Sequence, residues 1–252
     1  MALFDMMGLL STFAMMLPIV FLLTTRLAWY KCFPALLIYS ALMLSHNIFS
    51  LGYIHVSPAF VRNHGLINNL LDAPLMLCFL TYFSQTAAYR KSLLVILGVY
   101  ISFEVIVLLI LGFNRTSNTV IMAPGLAVIL ALSFVFFMHY VKLTLVNQKA
   151  LGKLLMVSSL LLAYGVYCFI YVVFYLLDTK FVEDTKLIFY LVTLINAGIL
   201  CAGLMAEKKR VQQLAELHKT REELKALYGE EETNTTIPFE TVVFKFEKGN
   251  TY

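Results

Sequence analysis

Residues 92–113 read SLLVILGVYISFEVIVLLILGF, with one charged side chain, Glu104, in an otherwise apolar run. A run of this length closes all its own backbone hydrogen bonds as a helix and crosses a hydrocarbon layer of about 30 Å. Working outward from it, the same pattern recurs on both sides. Upstream lie apolar runs over about 3–25, 35–56 and 62–84; downstream lie runs over about 119–141, 154–178 and 186–206. The run at 62–84 is the least apolar. It opens with Arg62, Asn63 and His64 and carries Asn68, Asn69 and Asp72, so its reading as a span rests on the stretch 73–83. Pro18, Pro74 and Pro124 fall inside these runs, where membrane helices tolerate them better than soluble ones do. The expected fold is an all-α integral membrane bundle of seven transmembrane helices over residues 1–206. A cytoplasmic helix is expected over 207–229, and a linker with a short strand over 230–252.

Composition agrees with that reading. The 252 residues are 60% hydrophobic and 13% charged, with a mean hydropathy of +0.82. A soluble domain of this length needs far more charge to cover its surface, so lipid is the expected solvent and the bilayer the first partner. The net charge of +4 is no nucleic-acid signal, because the basic residues sit at helix ends. Cys32, Cys78, Cys168 and Cys201 lie in or beside apolar runs without CxxC spacing and read as buried thiols. Asp5 stands at the start of the first run where a signal peptide carries basic residues, so this run reads as a retained helix.

Lysine and arginine set the orientation. Arg26 and Lys31, then Arg90 and Lys91, then Lys142, Lys149 and Lys153, then Lys208, Lys209 and Arg210 fall on one side. Arg62, Arg115, and Lys180 with Lys186 fall on the other, the last two offset by Glu183 and Asp184. The richer set is expected in the cytoplasm, which places the N-terminus outside and the tail inside. The expected location is a multi-pass position in a bacterial inner or plasma membrane. In the tail, Leu214, Leu217, Leu224 and Tyr228 form one stripe of a charged helix running on from the last span. Gly229 reads as its stop, and residues 239–247, with Val242, Phe244 and Phe246 alternating, as a strand. A cytoplasmic protein partner, if there is one, docks through residues 207–252.

Polar side chains inside spans are costly and face the bundle interior, so each is a candidate site residue. They are His46, Asn68, Asp72, Glu104 and Asn196. At about 1.5 Å per residue, His46 lies roughly 15 Å and Glu104 roughly 13 Å below the outer helix ends, with Asp72 and Asn196 within about a turn of them. Four helices thus share one polar level. A buried carboxylate needs a partner, and for Asp72 a histidine such as His46 or an asparagine would serve. Asn69 and Ser158 read as structural hydrogen bonds. The sixth run adds Tyr164, Tyr167 and Tyr171 on one face, with Phe174 and Tyr175 beyond; three inward hydroxyls call for partners or a polar-tipped apolar ligand. Gly165 and Gly198 are expected to permit close approach. No residue is singled out as catalytic or metal-ligating.

Several of these patterns resemble microbial rhodopsins, in particular the proteorhodopsin branch. Asn68 stands before Pro74 at the spacing of that family's counterion carboxylate. The segment Ser45-His46-Asn47 followed by Gly52 is similar to the one whose histidine pairs with that counterion, and Tyr164, Tyr167 and Tyr171 match the spacing of aromatics that box retinal. The family's Schiff-base lysine is missing: the corresponding region is Ile195-Asn196-Ala197-Gly198, and the acid stands at Asp72 rather than at 68. The resemblance therefore implies a rhodopsin-shaped bundle with a pocket for another apolar molecule, and covalent retinal is not expected; the cofactor, if any, is unknown.

Three functions follow as expectations. A sensor would bind an apolar or amphipathic ligand and signal through its tail. A proton-coupled or small-solute transporter would use Asp72 and His46, although no inverted repeat or pair of broken helices supports it. An intramembrane enzyme on lipid or isoprenoid substrates would need several histidines or acids at ligand spacing, and only His46 of the five histidines lies deep.

Overall fold

The computed structural model describes residues 2–146, 150–173 and 182–228, with side chains over 6–146, 150–173 and 187–224. Seven α-helices follow one another: α1 Ala2–Thr24, α2 Phe33–Ser50, α3 Pro58–Leu80, α4 Ala87–Leu111, α5 Arg115–Val146, α6 Leu151–Tyr171 and α7 Val182–Tyr228. All seven are long and apolar enough to cross a membrane, and no strand occurs among the described residues. Phe174, Tyr175, Lys149, Lys180, the expected stop at Gly229 and the expected strand at 239–247 lie outside the described residues.

Local chemistry sets the helix ends and moves several from where hydropathy alone puts them, two of them with a clear local cause. Helix α2 stops at Ser50, not near 56, because Gly52 turns left-handed at φ 76°. Its N–H bonds the Phe49 carbonyl, and the Tyr53 N–H bonds the Ile48 carbonyl, each at 3.2 Å. This is a Schellman closure, which satisfies the last carbonyls. Helix α3 starts at Pro58 rather than 62, because Ser57 Oγ accepts the Phe60 N–H at 3.2 Å and Pro58 pre-sets the first turn. Arg62, Asn63 and His64 are thus within the helix.

Short connections make successive helices antiparallel, so the starts of α1, α3, α5 and α7 share one end of the bundle, the N-terminal end. Helix α3 is central, packing on α2, α4 and α5. Helix α4 shows the logic of a lipid-facing element: Leu93, Tyr100, Glu104 and Val107 point inward, while Val95, Val99, Leu109 and Ile110 point out, Leu109 being 81% exposed. In water this would be a large sticky patch; hydrocarbon removes the cost.

The far end is densely packed. Phe33, Phe79, Phe83 and Phe136 are at most 2% exposed, with ring centroids 5.7 Å apart for Phe33–Phe79, 5.3 Å for Phe79–Phe83 and 5.9 Å for Phe83–Phe136. Tyr140 Oη donates to the Phe83 carbonyl at 2.8 Å. Beside them, Tyr82 Oη donates to Glu207 Oε1, and Arg210 reaches the same oxygen through Nε at 2.9 Å and Nη2 at 2.5 Å. Glu207 is fully buried. Lys153 Nζ lies 5.2 Å from the Tyr82 ring centroid, close enough for a cation–π contact. This cluster ties α7 to the end of α3.

Close helix crossings use glycine, but not the two expected. A Cβ at Gly165 or Gly198 would meet nothing within 4 Å. A Cβ at Gly152 would lie 2.8 Å from Glu207 N, and one at Gly203 2.9 Å from Met156 N, so α6 and α7 touch backbone to backbone there.

The chain divides after Arg210. From Val211 the described helix is charged and exposed, with i,i+4 pairs His218–Glu222 at 3.2 Å and Lys219–Glu223 at 3.8 Å. Leu217 and Leu224 are also exposed.

Candidate ligand cavity

At the N-terminal end the helices part around a cavity of about 510 Å³. The inward polar residues of α2 and α3 form one side: His46, Asn47, Asn68, Asn69 and Asp72. Tyr167 and Tyr171 of α6 face them, and Met15, Met43, Met122, Leu126 and Phe189 supply apolar wall. A volume in this range, mostly apolar with a few convergent polar groups, suits a small-molecule site.

Asp72 forms the floor. Tyr164 Oη donates to its Oδ1 at 2.7 Å, and Tyr164 is fully buried. The partner that Asp72 finds is thus a tyrosine rather than His46 or an asparagine. The Tyr39 hydroxyl of α2 interacts with those of Tyr164 and Tyr167, extending the network to three helices. Below the floor Met76, Leu77, Met156 and Val157 are at most 1% exposed, so an apolar plug lies beneath the polar layer. A Tyr164→Phe variant should lose about 1–2 kcal/mol of unfolding free energy, between an average interhelical hydrogen bond in membranes and one made to a charged group. Equal stability of the two proteins in chemical unfolding would remove this bond as a tie between α3 and α6.

The other expected residues divide. His46 stacks on His64, rings 5.7 Å apart and 4° from parallel, and His64 Nε2 meets Ser45 Oγ at 3.1 Å. A Cβ on Gly65 would come within 2.9 Å of the His46 ring, so glycine there makes room for the stack. Asn68, 5% exposed, donates to the thioether of Met43 at 3.2 Å. Tyr171 Oη donates to the Thr119 carbonyl at 3.1 Å, and the Tyr167 ring stacks on Phe189 at 6.0 Å. Asn69, read from sequence as structural, lines the cavity, whereas Ser158 bonds the Leu154 carbonyl at 2.8 Å. Glu104 and Asn196 do not line the cavity. Glu104 is buried beside Tyr100, whose hydroxyl donates to the Ile121 carbonyl at 3.0 Å, in the turn that Pro124 opens.

A second, shallower cavity of about 750 Å³ adjoins the first and shares His46, Asn69 and Arg115 with it. Arg62, Asn63, Asn114 and Asn118 complete its polar lining. From the sequence Arg62 and Arg115 bear only on orientation, Arg62 also opening the third run. Their convergence depends on α3 and α5 starting earlier than hydropathy suggests, a shift that the Ser57-Pro58 cap signals for α3. Among the described residues no group of three or more His, Cys, Asp or Glu side chains comes together as a metal site. Compared with known protein families, curated proteins and solved structures, the chain matches none, so the resemblance to microbial rhodopsins rests on its short motifs and the functional argument on the cavity itself.

Proposed function

We propose that the chain is a seven-helix membrane receptor that holds an apolar or amphipathic ligand in the cavity of about 510 Å³ and passes its occupancy to the cytoplasmic side through α7. The observation that carries this reading is that one helix serves both places. Helix α7 supplies Phe189 and Tyr190 to the cavity wall and Glu207 to the far-end cluster. With the N-terminus outside, as the distribution of lysine and arginine favours, the cavity faces outward, and the helix beyond Arg210 offers a docking segment for a cytoplasmic protein. Helical spans suit a plasma or bacterial inner membrane. The transporter reading fits less well: Asp72 sits at the cavity floor, and the buried apolar side chains of Met76, Leu77, Met156 and Val157 follow it toward the far end.

The test is a comparison of extracts. Gently purified protein and a Leu126→Trp variant, whose indole fills the cavity, are analysed by absorbance and by mass spectrometry of their organic extracts. A stoichiometric apolar molecule that accompanies the wild type and is missing from the variant is the expected result. Identical lipid profiles from both would sink the proposal. For signalling, the informative truncation falls after Arg210, because Glu207 and Arg210 belong to the bundle.

A further inference from the structure

Independently of the ligand reading, we infer that Cys32 and Cys78 form a reversible thiol–disulfide site at the far end of the bundle, oxidised by a low-molecular-weight disulfide such as that of glutathione. In the sequence these cysteines stand far apart and show no CxxC spacing. The fold brings them together. Cys32 immediately precedes the first turn of α2, and Cys78 lies in the last turn of α3. Their thiols interact with each other, side chain to side chain. Thr81, one turn on from Cys78 and on the same face of the chain, spans the pair. Its Oγ1 donates to the Cys78 carbonyl at 2.7 Å and stands 3.0 Å from Cys32 Sγ. Phe33 and Phe79, the next residue after each cysteine, are fully buried, with ring centroids 5.7 Å apart. The two thiols are therefore carried on packed backbone rather than on loose ends. Both cysteines are half-buried and sit at helix ends, where a spanning helix leaves the hydrocarbon.

The surroundings favour the thiolate at Cys32, which lies outside the spans. The Cys78 thiol beside it holds the Cys32 thiol below its ordinary range against the opposing effect of burial, and the Thr81 hydroxyl and the charges of Arg90 and Lys31 add to this. A thiolate is the nucleophile of disulfide exchange. Cys32 attacks one sulfur of the small disulfide, whose S–S bond breaks as the first thiolate leaves. Cys78 then attacks the Cys32 sulfur of the mixed disulfide, and the second thiolate leaves. The protons shed by Cys32 and Cys78 end on the two leaving thiolates; the protein pair loses two electrons and the reagent gains them. Excess small thiol runs the same steps backwards. The new bond staples the start of α2 to the end of α3 beside Tyr82, whose ring lies 4.8 Å from that of Phe33 and whose hydroxyl donates to Glu207 of α7. The distribution of lysine and arginine favours the cytoplasm for this end, where thiols are kept reduced. The pair then rests as the dithiol and closes when the disulfide pool rises.

The full chain in nanodiscs is treated with glutathione disulfide at neutral pH, quenched by alkylation under denaturing conditions and mapped by peptide mass spectrometry. The expected product is a Cys32–Cys78 cross-link within one chain that dithiothreitol removes, with Cys168 and Cys201, inside the spans of α6 and α7, still free to alkylate. Cys78→Ser should stop at the mixed disulfide on Cys32. Cys32→Ser should take up glutathione on Cys78 about tenfold more slowly than that, having lost the activated thiolate. The wild-type map stands whether or not either variant folds. Glutathione on both cysteines without the cross-link, cross-links only between chains, or two unreacted thiols would each overturn the site. Equal rates in the two single variants would overturn Cys32 as the attacking group.

Discussion

Arg210→Ala should lower the unfolding free energy of the bundle by about 3–5 kcal/mol, the cost of leaving a buried charge without its partner. Glu207 is fully buried, the Arg210 side chain is only 15% exposed, and Nη2 lies 2.5 Å from Glu207 Oε1. Among the described residues the Tyr82 hydroxyl would then be the hydrogen-bond donor left to the carboxylate. The companion variant, Glu207→Gln with Arg210→Met, removes both charges at nearly constant volume and should recover most of the loss. The two are compared with wild type by chemical unfolding in mixed micelles. A loss below about 1 kcal/mol for the single variant is what an exposed pair produces, and would show that Arg210 holds its charge in water rather than against Glu207.

Gly152→Ala should cost about 2–3 kcal/mol, near the upper end of ordinary overpacking. Its new methyl would stand 2.8 Å from Glu207 N and 3.1 Å from Glu207 Cα. These are backbone atoms of α7, which cannot swing aside as a side-chain tip can, so the two helices must separate. Between lipid-bathed helices no hydrophobic force restores the contact, because hydrocarbon solvates the parted faces as well as the partner did. Gly165→Ala and Gly198→Ala are the controls: their methyls enter open space, and each should be neutral or slightly stabilising through helix propensity, by up to about 1 kcal/mol. Unfolding curves for the four proteins decide it, and equal losses at all three glycines would refute the crossing.

This contrast marks how far the sequence could be read. Seven long apolar runs dictate seven helices, since a hydropathic run in lipid has no other way to satisfy its backbone. The shared depth is counted for His46, Asp72, Glu104 and Asn196, and of these His46 and Asp72 line the cavity. Depth is a one-dimensional quantity that a count along the chain supplies. Rotation about each helix axis and the points where axes cross are not. That is why Gly165 and Gly198 look like crossing points while Gly152 and Gly203 make the contact, and why Glu104 and Asn196 share the polar level yet stand outside the cavity. The pairing of Asp72 with Tyr164 depends on the same missing information, as does that of His46 with His64. Glu207 was hidden differently: Lys208, Lys209 and Arg210 follow it, and such a run reads as the solvated start of a tail until Tyr82 is seen beside it.

The exposed apolar side of α4, which a bilayer would cover, determines how this chain can drift over generations. Val95, Val99, Leu109 and Ile110 are exposed, and a bilayer would accept valine, isoleucine or leucine alike there. Leu93, Tyr100, Glu104 and Val107 are held by the helices around them. Descendants of this sequence should therefore keep a sparse inward stripe along a helix whose remaining letters change freely within the apolar alphabet. Kinship among such proteins would be written in spacing rather than in identity.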